Sequence, residues 1–132
     1  MSVKALISEI HSLKNPEKIK IYQGFFKTGK GEYGEGDVFL GLTVPQTRGL
    51  VKKYAPEMTL DDIDILLADK HHEARLAGVL ILVYFVQKKK YPLSELARFY
   101  MQHVSGINNW DLIDTSSEHI IGPYIQNELS HE

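Results

Sequence analysis

The sequence predicts an all-α protein, an α-solenoid of antiparallel helix pairs, and three observations lead there. Apolar residues recur at helical spacing along nearly the whole chain, as in Val3, Leu6, Ile7, Ile10 and Leu13, which repeat at three and four residues. Helix-start residues stand at the heads of several of these segments, and no strand pattern appears anywhere. Short connections join most of the segments, which sets consecutive helices antiparallel. Equivalent helices recur at about 40 residues, the range of HEAT and armadillo repeats. A compact helical bundle is the other arrangement open to the same elements.

The first helix is expected over residues 2–13. Asn15-Pro16-Glu17 then supplies an N-cap residue, a proline at the first helical position and an acid in the first turn, so a second helix runs from Pro16 to about Lys27. Residues 28–37 hold four glycines, too many for a helix interior, and form a loop longer than the usual helix connection. No strand precedes this loop and no Gly-Lys-Ser/Thr closes it, so it lacks the pattern of a nucleotide P-loop. Pro45 opens a third helix to about Tyr54. Thr59 with Asp62 resembles a capping box for a fourth helix through Ala68, although Glu or Gln is the usual second partner. His71 to Lys88 reads as a long helix buried on most sides, because its middle, Leu76 to Val86, is almost uninterruptedly apolar. Leu93 to Val104 forms a further helix. One more starts at Asn108 or Asn109 and is kinked or ended by Gly122-Pro123.

The composition excludes several classes of function. With 132 residues, 43% of them hydrophobic, the chain is one ordinary domain or less and not a disordered segment. No apolar run reaches the roughly 18 residues of a membrane span. The absence of cysteine removes disulfides, thiolate metal sites and cysteine nucleophiles. The N-terminus lacks the apolar core of a secretory signal, so the chain reads as cytoplasmic. A net charge of -2 argues mildly against nucleic acid, but the placement of the cations matters more than their sum.

The segment Asn108-Asn109-Trp110-Asp111-Leu112-Ile113-Asp114 is the most informative for chemistry. Trp110 and Asp114 are four residues apart, which stacks them on one helix face, beside the apolar direction set by Leu112, Ile113, Ser116 and Ile120. The only tryptophan of the chain thus stands at the core edge next to a carboxylate, as the wall of a groove would require. The plainer alternative makes Trp110 a packing anchor and Asp111 a partner of the helix dipole. Asp114 lies beyond the first turn, where the dipole's benefit has faded.

Phe39-Leu40-Gly41-Leu42-Thr43-Val44-Pro45-Gln46-Thr47-Arg48, followed by a Lys-rich helix, and then Asn108 to Asp114 with Ile120-Ile121-Gly122 downstream, resemble the AlkD-like DNA alkylation repair proteins. The resemblance covers about Pro16 to Tyr124. It implies a HEAT-like DNA glycosylase that removes cationic N3- and N7-alkylated purines from double-stranded DNA, with no metal or other cofactor. It further implies that Asp114 is the catalytic aspartate and that Trp110 contacts the lesion nucleotide. The family's aromatic on the second helix falls at Phe26, with Tyr22 as the substitute. Family members continue into helices that supply an Arg and another Trp. Residues 1–132 are accordingly expected to be the N-terminal part of a longer repeat domain, with little activity alone. Ile120, Ile121, Ile125 and Leu129 would then form an apolar end through which the chain self-associates.

Among the cations, Arg48 and Lys52 are four apart on the third helix and suit phosphate contact, as does Lys27 beside the Gly-rich loop. Lys88-Lys89-Lys90 reads equally as a solvated helix end. Adjacent His71 and His72 point apart on a helix and have no partner at i+4, so no metal site is expected. A catalytically silent DNA-binding or helical scaffold protein is the competing class.

Overall fold

The computed structural model describes residues 2–25 and 38–103, with residues 22–25 as backbone alone. Within them lie six helices: α1 Val3–Ser12, α2 Pro16–Phe25, α3 Val44–Tyr54, α4 Leu60–Leu67, α5 His72–Lys88 and α6 Leu93–Gln102. A single 3-10 turn, Ala55–Glu57, follows α3. The described residues contain no strand, only an isolated parallel bridge between Val38 and His71. The helices pack against each other as an all-α fold, consistent with a helical repeat.

The caps explain where the helices begin. Ser2 accepts from the Ala5 amide at 3.2 Å, and Asn15 accepts from the Lys18 amide at 3.3 Å. Thr43 and Gln46 form a full capping box that starts α3 one residue before Pro45. Thr59 and Asp62 do the same for α4, so the shorter aspartate closes the box that the sequence pattern only suggested. At the other end, α6 stops at Gln102, two residues short of the expected Val104. There the His103 ring stacks on Phe99 at 3.9 Å, and its Nε2 lies 2.7 Å from Asp64 Oδ1.

Helix α5 is the axis of the fold, packed against α1, α3, α4 and α6. Every residue from His72 to Val83 is buried, which is what a helix apolar on all sides demands. Its contact with α4 is close. A Cβ on Gly78 would stand 3.1 Å from the Leu66 Cβ. Leu6, Ile10, Met58, Ile63, Leu66, Ile81, Leu82, Phe85 and Leu96 are fully enclosed and make one core from four helices and the turn after α3, joined by Leu50, Val51 and Tyr54 of α3.

The loop before α3 is anchored from inside. Glu73, in the first turn of α5 and buried, accepts from the Leu40 amide on Oε1 at 2.9 Å, and from the Gly41 and Leu42 amides on Oε2 at 2.9 and 3.2 Å. Gly41 adopts φ +91°, and a Cβ there would collide with the Asn15 carbonyl, so only glycine serves. Asn15 in turn donates its amide to Leu40 O at 2.8 Å, and His72 donates to Val38 O at 2.7 Å. These bonds fix the starts of α2, α3 and α5 to one another.

A second fastening joins α1 to α3. Glu9 Oε1 accepts from Lys53 Nζ at 2.6 Å and from the Tyr54 hydroxyl at 2.8 Å. The Lys53 bond, then the Tyr54 bond, holds the Glu9 carboxyl below its ordinary value, while the bond to Glu9 raises both Lys53 and Tyr54. The folded value of Glu9 lies under the unfolded one, so its contribution is present at neutral pH and is lost as pH falls through the folded value. Lys53 and Tyr54 behave oppositely and lose theirs as pH rises through their raised values. Urea midpoints measured from about pH 6 to pH 3 should therefore fall less steeply in Glu9→Gln than in the wild type. Parallel curves would show that the fastening adds nothing.

Candidate nucleic-acid interface

The capping box at Thr43 sets the rotation of α3. Thr47, Leu50, Val51 and Tyr54 are buried, and Arg48 and Lys52, one turn apart, are left exposed on the other side. On α5, Leu80, Val83, Tyr84 and Gln87 follow at i, i+3, i+4 and i+7, a single stripe. The two helices bound an open groove of about 300 Å³. Val51, Leu80 and Val83 form its apolar lining, and Arg48, Lys52, Tyr84 and Gln87 provide its polar groups. Such a site presents positive charge and donors around a surface that cannot compete for them. It suits an elongated polyanion better than a small neutral ligand.

Arg48 and Lys52, two of the three cations chosen from the sequence, are brought to the same groove. Tyr22 is in the part of α2, residues 22–25, that is described as backbone alone. Phe26, Lys27, Trp110 and Asp114 lie outside the described residues, as do the 28–37 loop, the expected helix at Asn108 or Asn109, and the apolar Ile120, Ile121, Ile125 and Leu129. Tyr84 and Gln87 were not singled out from the sequence. Their stripe is hard to see inside a run that is apolar on every face.

The described histidines His71 and His72 make local contacts. His71 Nδ1 lies 2.8 Å from Asp69 Oδ1, and its ring meets His11 edge-on at 4.7 Å. His72 points elsewhere and packs on Phe39 at 4.7 Å. Among the described residues no group of three His, Asp or Glu side chains is arranged to hold a metal ion. Arg75 donates Nη1 to the carbonyls of Asp69 and Lys70 in the turn between α4 and α5, and burial pushes its guanidinium below the ordinary value. No helix among the described residues is long and apolar enough to cross a membrane.

Fold and groove together define an all-α protein, consistent with a helical repeat, with an open groove that carries Arg48 and Lys52 on one face. The family model described as DNA alkylation repair enzyme matches residues 6–132, and the chain belongs to that family. The family implies repair of DNA carrying alkylated bases, and such DNA as the partner. Neither a curated protein nor a solved structure matches the chain.

Proposed function

We propose that the protein is a cytoplasmic DNA glycosylase that hydrolyses the N-glycosidic bond of cationic N3- and N7-alkylated purines in duplex DNA. The observation that carries this reading is the pair Arg48 and Lys52, exposed on one groove in a chain of the alkylation repair family. Arg48 and Lys52, with Lys27, hold phosphates of the duplex. Trp110, with Phe26 or Tyr22, engages the lesion nucleotide, whose positive charge is attracted to an indole face by about 0.5 to 2 kcal/mol.

The chemistry asks little of the protein beyond placement and charge. Alkylation has already made the purine a good leaving group. The bond from the sugar carbon to the base nitrogen breaks, its electron pair goes to the base, and positive charge passes to the sugar. Asp114 stabilises that oxocarbenium-like state and positions the water whose oxygen bonds to the sugar carbon while its proton is released. A carboxylate is the right group because it meets positive charge at the point where it develops. No step requires a metal or a redox partner.

Each phosphate contact releases counterions, so affinity for duplex DNA should fall steeply with salt and show little sequence preference. Arg48→Ala and Lys52→Ala should each lower the slope of log K against log salt by about 0.9. Fluorescence anisotropy with an undamaged duplex over a salt series measures this. Binding whose slope is unchanged in the double variant would move the DNA to another surface.

A further inference from the structure

We propose that Lys88, held over the ring of Tyr84, is a third phosphate-binding cation of the α3/α5 groove, with Tyr84 as its positioning residue. This rests on the reading that the groove receives duplex DNA. Three lysines end α5, and their contacts separate them. Lys90 donates Nζ to the carbonyls of Met58 and Pro56 and lies 4.9 Å from the Phe85 ring centre, so it fastens the turn after α3 from the far end of α5. Lys89 is the C-cap, in the left-handed conformation at φ 54°. Lys88 is the last residue of the helix and is exposed, and its Nζ stands 6.0 Å from the centre of the Tyr84 ring.

Tyr84 itself lines the groove, and Lys88 is one turn further along the same face. The lysine therefore extends the stripe Leu80, Val83, Tyr84 and Gln87 on the wall opposite Arg48 and Lys52. Cations on both walls, with Val51, Leu80 and Val83 between them, match the backbone of one DNA strand. Phosphates meet the walls, and the apolar face of the deoxyribose meets the lining. A free lysine side chain loses much rotamer freedom when it grips an anion. The Tyr84 face restricts Lys88 beforehand, so less is lost on binding. The ammonium keeps its donors for the phosphate, because the ring attracts it by charge and takes no hydrogen bond of the ordinary kind.

The test is the salt dependence of duplex binding by the full chain, with thermal melts confirming that each variant folds. Lys88→Gln should weaken binding and lower the salt slope by about 0.9, whereas Lys89→Gln should leave the slope where it is. Tyr84→Ala should weaken binding about two- to fivefold in the wild type and add nothing in the Lys88→Gln background, while in Tyr84→Phe, which keeps the ring, Lys88→Gln should still lower the salt slope by about 0.9. Tyr84→Leu keeps the apolar bulk without the aromatic face and gives the same readout should the alanine variant fail to fold. A slope lowered by Arg48→Ala but not by Lys88→Gln overturns the role of Lys88 and leaves the groove standing. A slope moved by neither overturns the groove as the DNA site, and Lys88 with it. Additive losses from Tyr84→Ala and Lys88→Gln overturn the positioning role of the tyrosine.

Discussion

Asp114→Asn should slow release of 7-methylguanine from alkylated duplex DNA by about 10² or more in the full-length protein, because the amide keeps the shape of the side chain and removes its charge. Loss of one preorganised electrostatic stabiliser has that scale in other enzymes, about 2.7 to 4 kcal/mol of barrier. The effect should fall on the single-turnover rate and leave affinity for undamaged DNA unchanged, since the charge acts only where the sugar becomes positive. Trp110→Ala should cost less and weaken engagement of the lesion. Asp111→Asn should act chiefly on stability, through the dipole of the helix expected from Asn108 or Asn109. The order Asp114, then Trp110, then Asp111 separates catalysis from packing. A rate as sensitive to Asp111 as to Asp114 would return the segment to the packing alternative.

Glu73→Gln should produce the largest loss of stability among single changes that preserve side-chain shape. Glu73 is 2% exposed and takes three backbone amides of the Leu40 to Leu42 loop on its two oxygens. Glutamine replaces one of those oxygens by a donor, which sets N–H against N–H and strands at least one buried amide. An unpaired buried donor costs about 1 to 3 kcal/mol, and bonds to a charged acceptor are stronger than neutral ones. A total near 3 kcal/mol is a large part of the 5 to 15 kcal/mol that holds a typical domain together. The urea midpoint should fall by about 1 M or more with an unchanged slope. The same change loosens the start of α3, so DNA binding should weaken although Arg48 and Lys52 are intact. An unmoved midpoint would mean that the loop is held by something other than Glu73.

That carboxylate also marks what could and could not be read from the residues alone. Helix starts were legible where the signal is local, as at Asn15-Pro16, Pro45 and Thr59 with Asp62, because a cap and its partner lie within one turn. Glu73 bonds to residues 31 to 33 positions away, and no local pattern announces such a pairing. In the sequence it was only a flank of the long helix, beside two histidines that make local contacts. The segment from Phe39 to Arg48 was one of the two motifs that carried the family resemblance, yet its residues do two things. Leu40 to Leu42 wrap Glu73 and fix α3, and Arg48 then stands where that fixing places it.

The groove was legible by half. Arg48 and Lys52 show themselves by a four-residue spacing of cations on an otherwise mixed helix. Tyr84 stays hidden because α5 is buried on almost every side, and a stripe is visible in a sequence only against a contrasting face. The three lysines after it look equivalent as a charge run. They differ in what the side chains reach, Tyr84 for Lys88 and the carbonyls of Met58 and Pro56 for Lys90, and in the left-handed backbone of Lys89.

The most direct measurement is product analysis after the full-length protein is incubated with duplex DNA containing 7-methylguanine. Free 7-methylguanine base should appear, with an abasic site of matching amount left in the strand, in the presence of chelator, and the neutral O6-methylguanine should stay in place because its glycosidic bond carries no activating charge. Tight, salt-dependent binding to the same DNA with no base released would contradict the glycosylase and make the protein a silent DNA-binding member of its family.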